Sequence, residues 1–227
     1  MKYRIVSENE VKNIWAENHF RIFLSHKSAY KEKVSKLKQE LKKYYIGAFV
    51  AHNDIEPSKE WQDEIEKALL SMNAFVALIT KDFYDGDGEW TNQEIGFSTA
   101  FDIPRIYVNL GGNPRGFAAK FQALKCSWDE APEKIFSILS KYDNFRNAFV
   151  DNLIGDLKNV LDFLSANEFY DRLITFNLSE EQCDKVIFAY NNNVQIGKNY
   201  RFKSGIISYL NKWSSKQYKL DEANKIV

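Results

Sequence analysis

The sequence predicts an α/β domain with a doubly wound, parallel, five-stranded sheet, followed by a small helical domain. Three observations predict it. Short apolar runs alternate with segments of helical periodicity from about residue 21 to residue 143. The third run, AFVALI, is apolar at every position, as a strand covered on both faces should be. After about residue 144 the alternation stops and only the helical period remains.

The elements follow in order. Residues 1–20 read as an N-terminal arm with a short helix around Val11–Ala16. Arg21–Ser25 is the first strand. Tyr30–Tyr44 is helical, with Val34, Leu37 and Leu41 on one face and lysines on the other. Ile46–Ala51 is the second strand. Ser58–Met72 is a helix opened by Pro57, with Trp61, Ile65, Ala68 and Leu69 as its stripe. Ala74–Thr80 is the third strand and Trp90–Phe101 the third helix. Pro104–Asn109 holds the fourth strand, Gly116–Gln122 a helical piece, Ala123–Cys126 the fifth strand and Ala131–Tyr142 the closing helix. Beyond it, Phe145–Leu164 has one helical stripe (Phe149, Leu153, Leu157, Val160, Leu164). Ser179 with Gln182 forms a capping box opening a helix to Tyr190, and Ser204–Trp213 reads as another helix. The expected organisation is an arm over 1–20, an α/β domain over 21–143 and a helical domain over 144–227.

Composition excludes several classes. The 227 residues carry 31 basic and 31 acidic side chains, so no net charge directs the chain to nucleic acid or an anionic membrane. With 44% hydrophobic residues, 17 Phe and 12 Tyr, a sizeable core is available. The two cysteines, Cys126 and Cys183, are isolated, and His19, His26 and His52 show no zinc spacing. A disulfide framework and a metal site are therefore not expected. No signal-peptide pattern or membrane-length apolar run occurs, so a cytoplasmic location without membrane contact is expected. One local bias stands out. From Lys185 to Lys219 there are seven basic residues and no acidic one. This is either a solvated face or a docking patch for an acidic protein or nucleic acid.

In parallel sheets of this kind ligands bind beyond the carboxyl ends of the strands. The polar residues of interest fall there: Ser25, His26 and Lys27 after the first strand, His52, Asn53, Asp54 and Glu56 after the second, Trp90 after the third. Trp90 and Glu94 stand four apart and should share a helix face. The ordinary reading of that pair is a core tryptophan with a solvated glutamate. A phosphoacceptor regulator of similar topology would need paired acids after the first strand and an aspartate closing the third. Ser25-His26 and Thr80-Lys81 stand there instead. No G-x-G-x-x-G fingerprint or Walker loop is present, which argues against a bound redox dinucleotide.

Four stretches in order carry a resemblance to the Toll/interleukin-1 receptor (TIR) domain in its bacterial form, a flavodoxin-like fold: FLSHKS at 23–28, AHNDIEPSKEW at 51–61, WTNQEIG at 90–96 and GFAAKFQAL at 116–124. The second resembles the BB loop, with Pro57-Ser58 where many members have Pro-Gly. The third resembles the Trp-x-x-x-Glu segment of NAD-cleaving members, with Thr91 where many have Cys. The resemblance implies an enzyme that splits NAD between nicotinamide and ribose. Glu94 would be catalytic, and Ser25, His26, Lys27, Asp54, Ile55 and Trp90 would contact the substrate. NAD would be consumed rather than held as a cofactor, and the TIR domains would self-associate. Compact TIR chains with a small appended domain resemble the sensors of antiphage systems such as Thoeris, which make a signal derived from ADP-ribose. Other TIR domains are interaction modules, scaffolds or adaptors without catalysis. Nicotinamide leaves from a cationic pyridinium, so one carboxylate stabilising an oxocarbenium-like transition state suffices where ordinary glycosidases need two.

Overall fold

The structure, a computed structural model, describes residues 5–50, 61–86 and 88–227. Ala51, His52, Asn53, Asp54, Ile55, Glu56 and the Pro57-Ser58 helix start therefore lie outside the described residues, as does the side chain of Trp61. The chain divides into two compact units, Met1–Phe145 and Arg146–Val227.

In the first unit five parallel strands form one sheet in the order β2-β1-β3-β4-β5. They are β1 (Phe20–Ser25), β2 (Ile46–Phe49), β3 (Ala74–Ile79), β4 (Arg105–Asn109) and β5 (Leu124–Lys125). Every residue of β3 is buried, as its unbroken apolar run requires. Ser25 lies opposite Ala77 and Ile79 opposite Asn109, so the carboxyl ends of β1, β3 and β4 share one rim. The helices are α1 (Glu8–Ile14), α2 (Lys31–Lys42), α3 (Trp61–Ser71), α4 (Gly88–Ser98) and α5 (Ala131–Leu139). Helix α2 packs with α5, while α3 packs with α1 and α4. The layers interleave through aromatics. Phe23 stacks on Phe49 at 5.5 Å and on Phe75 at 5.9 Å, a ladder across three strands.

The described part of the expected arm packs on this core through Val11, Ile14 and Trp15. Ser7 opens α1 with a full capping box. Trp15 is buried beside Phe49, and its indole N–H donates to Ser71 Oγ at 2.8 Å. Several expected elements are shorter in the structure. The Gly116–Gln122 helix reduces to a 3-10 turn at Gly116–Ala118, and the closing helix ends at Leu139 rather than Tyr142. Helix α4 begins at Gly88 and ends at Ser98. Arg105 donates to the carbonyls of Ser98 and Phe101, taking the acceptors that a longer helix would use internally. The loop leaving β4 lies tight on the end of β3. A Cβ on Gly112 would sit 2.2 Å from the Thr80 carbonyl.

The second unit is helical: α6 (Asp143–Leu157) from Arg146 onward, α7 (Phe163–Leu173), α8 (Glu180–Asn192), α9 (Val194–Gly197) and α10 (Tyr200–Trp213). The Ser179–Gln182 capping box forms as the spacing predicts. The single helix expected over 145–164 does not. Asn193 Nδ2 donates to the carbonyls of Leu157 and Val160, satisfying the end of α6, and Asp162 caps a new helix through the Ser165 N–H. Leu164, placed on the buried stripe by periodicity, is accordingly 71% exposed.

Candidate functional site

Strand β1 leads through α2 to β2 on one side, and β3 leads through α4 to β4 on the other. The chain therefore reverses its winding between β1 and β3, where open α/β sheets place their ligands. Ser25 ends β1 at that point and is buried. Helix α4 delivers Glu94 to it. Thr91, Glu94, Ile95 and Ser98 are all buried, at the three-to-four spacing of a core-facing stripe. Thr91 Oγ1 donates to the Phe83 carbonyl at 3.2 Å, tying the helix to the segment after β3.

Ser25 Oγ donates to Glu94 Oε2 at 2.5 Å. Among the described residues no cation faces this carboxyl. Burial, only partly offset by the Ser25 hydrogen bond, raises its pKa from 4.5 to about 8. Glu94 is thus protonated near neutral pH in the unliganded chain, where the sequence led us to expect an ionised group. The pairing with Trp90 also departs from the ordinary amphipathic reading. Glu94 is 8% exposed and Trp90 36%, so the acid lies inside and the indole at the rim. The reason is position along the helix: Trp90 sits in the first turn of α4, and Glu94 one turn deeper over the sheet.

The remaining expected residues lie around this point. His26 follows Ser25, and its Nδ1 lies 3.0 Å from the Leu24 carbonyl. That acceptor assigns the proton to Nδ1. Lys27 Nζ donates to the Asp85 carbonyl at 2.5 Å, bridging the segments after β1 and β3. Ser25 thus contacts the acid, and Lys27 spans the neighbouring loop rather than projecting to solvent. Asp54 and Ile55 lie outside the described residues. The sequence reasoning missed Asp82. The Thr80 hydroxyl, donating at 2.7 Å, holds the Asp82 carboxyl below the usual range, helped by its own backbone N–H, Tyr30 and Lys27. The Thr-x-Asp spacing directly after a strand was its signal.

A TIR domain family model matches residues 22–136. The chain belongs to the TIR domain family. This TIR domain also resembles the TIR domain of the Toll-related receptor TRR-2 from Hydra magnipapillata. The two are 15% identical, and the alignment covers 56% of this chain and 96% of that one at a TM-score of 0.43. No curated protein matches the chain. The five-stranded parallel TIR fold expected from the sequence is the fold observed. Among the described residues no helix is long and apolar enough to cross a membrane.

Proposed function

We propose that this TIR domain cleaves the N-glycosidic bond of NAD, with Glu94 as the catalytic residue. One observation carries the reading: a carboxyl buried at the switch point of the sheet, bonded to Ser25 and facing no cation among the described residues. Such a group costs the folded state several kcal/mol when ionised, and strongly perturbed acids of this kind concentrate at functional sites. The nicotinamide ring of NAD carries the positive charge that the pocket lacks. Its arrival stabilises the ionised carboxylate, and the Glu94 proton passes to solvent as the ring binds. The C1′–N bond then breaks, its electron pair passes to the ring nitrogen, and neutral nicotinamide leaves. Glu94 stabilises the oxocarbenium-like ribose electrostatically. Capture by water gives ADP-ribose and a proton, and capture by a nucleophile within the molecule gives a cyclic product. Trp90, at the rim, stacks on the base. His26 and Lys27 face the ribose and phosphates, and the family resemblance assigns Asp54 and Ile55 to substrate contact. The product acts as a signal, in keeping with the resemblance to antiphage TIR proteins, and NAD is substrate rather than cofactor. Self-association of TIR domains assembles the active form.

The test is nicotinamide release from NAD by the purified full chain at low and high protein concentration, with mass spectrometry of the nucleotide product. Release that is lost in Glu94→Gln supports the reading. Absence of release at both concentrations overturns it in favour of an interaction module.

A further inference from the structure

The basic run between Lys185 and Lys219 looks uniform in sequence but is not so in space. Lys185 pairs with Glu181 and Asp151, Arg201 with Asp171 at 2.7 Å, and Lys216 with Asp184 at 2.9 Å. Folding thus neutralises three of its seven charges with acids from other parts of the run's own unit. Lys198 and Lys203 are different. Neither side chain has an ion-pair or hydrogen-bond partner among the described residues. Both line a cavity of about 430 Å³ within the second unit, and Lys225 joins them from the C-terminal turn. The residues lining this cavity include these three lysines and no carboxylate. Asp221 belongs to the same C-terminal turn, but its carboxylate accepts the Lys225 backbone N–H.

The walls of the cavity are held by their own hydrogen bonds. Asn191 accepts from the Ile226 N–H and donates to the Ile226 carbonyl, fixing the C-terminal turn on α8. Asn193 bonds the end of α6 with its amide nitrogen, and its oxygen caps α9 through the Gln195 N–H. Tyr190 contributes to the wall, and its buried hydroxyl has no hydrogen-bond partner among the described residues. A helix C-terminus alone does not account for the lysines. The carbonyl end of α8 carries about half a negative charge. The Lys225 ammonium donates to the Asn191 carbonyl there and answers it. The charges of Lys198 and Lys203 are left over, beside a cavity of a size typical for small ligands.

We propose that this cavity is a binding site for a small phosphorylated anion carrying two negative groups, of the diphosphate class, with Lys198 and Lys203 as its charge partners. The site lies wholly within the second unit and does not depend on the proposed chemistry at Glu94.

The test uses the full chain and inorganic pyrophosphate in calorimetric titration, repeated with ADP, at low and at raised ionic strength. Binding is expected with a dissociation constant in the range of about 1 mM or tighter, weakening as salt rises. The double variant Lys198→Gln, Lys203→Gln should weaken it at least about tenfold, equivalent to about 1.4 kcal/mol. A matched loss of two charges from the same run, Lys212→Gln with Lys219→Gln, should leave it unchanged. Thermal melting of both variants checks that they fold. Absence of pyrophosphate and ADP binding overturns the proposal, even if a single-stranded oligonucleotide binds. So does binding of equal strength in the Lys198/Lys203 variant, which would place the anion elsewhere, including the site around Glu94.

Discussion

Replacing Glu94 with glutamine should abolish NAD turnover and make the protein more stable, with a gain that grows with pH. The carboxyl keeps its proton in the folded chain up to about pH 8 and loses it near 4.5 in the unfolded chain. Between those values the unfolded state binds fewer protons, so raising the pH favours unfolding. The stability is fully present below the unfolded pKa and is lost as pH rises through the folded one. Each pH unit inside that window corresponds to about 1.4 kcal/mol. Going from about pH 5 to about pH 8 should therefore cost the parent chain ~3–4 kcal/mol through this group alone, three units less the rounding at each end of the window. Glutamine has nearly the same shape, carries no titrating proton, and its amide oxygen accepts the Ser25 hydroxyl in place of Oε2. The difference between variant and parent isolates Glu94 from carboxylates such as Asp82, Glu130 and Asp162, whose lowered pKa values act in the opposite direction in both chains. Urea unfolding at the two pH values, compared through the midpoint of the transition, measures the difference. A variant no more stable than the parent at pH 8, or a gain equal at both pH values, would refute the argument that a protonated, desolvated acid occupies this site.

Further outcomes follow from the same geometry. Under the proposed reaction, kcat/KM for NAD should rise with pH up to about 8, where Glu94 of the unliganded chain ionises; a flat profile from about pH 6 upward would contradict the assignment. Ser25→Ala should displace that limb toward higher pH, because the Ser25 hydroxyl is what lowers the Glu94 pKa, whereas a role confined to substrate contact would raise KM and leave the limb in place. Trp15→Ala should cost about 3 kcal/mol or more by opening a cavity beside Phe49 and removing the bond to Ser71, read as a lower urea midpoint. Gly112→Ala should destabilise by more than about 1 kcal/mol, because the new methyl meets the Thr80 carbonyl and the loop must move; a thermal melt unchanged from the parent would count against that contact.

Much of the fold was legible because its signals are local. An unbroken apolar run announced β3, three-to-four spacing announced α2, and Ser179 with Gln182 announced α8. The boundary at Leu157 was not legible, since Asn193, 36 residues later, ends α6. The candidate site divides in the same way. Glu94 was found through the Trp90–Glu94 segment and its resemblance to the TIR family. Ser25 was placed at the rim by its position after the first strand, but its bond to Glu94 was not legible, because the two lie 69 residues apart and only the sheet brings them together. Asp82 carried a local signal, the Thr-x-Asp spacing after β3, but that spacing alone does not separate it from an ordinary turn.

The amino-acid order by itself determined where the strands and most of the helices lie, the parallel arrangement of the sheet, and the family to which its motifs belong. All of these rest on periodicity and on residues near one another along the chain. Tertiary structure alone decided that the acid of the Trp90–Glu94 pair is buried and the indole is at the rim, that the acid holds its proton near neutrality, and which lysines of the basic run keep uncompensated charge. Ionisation and charge balance depend on solvent access and on partners that packing brings from distant positions, and neither quantity is encoded in any local stretch.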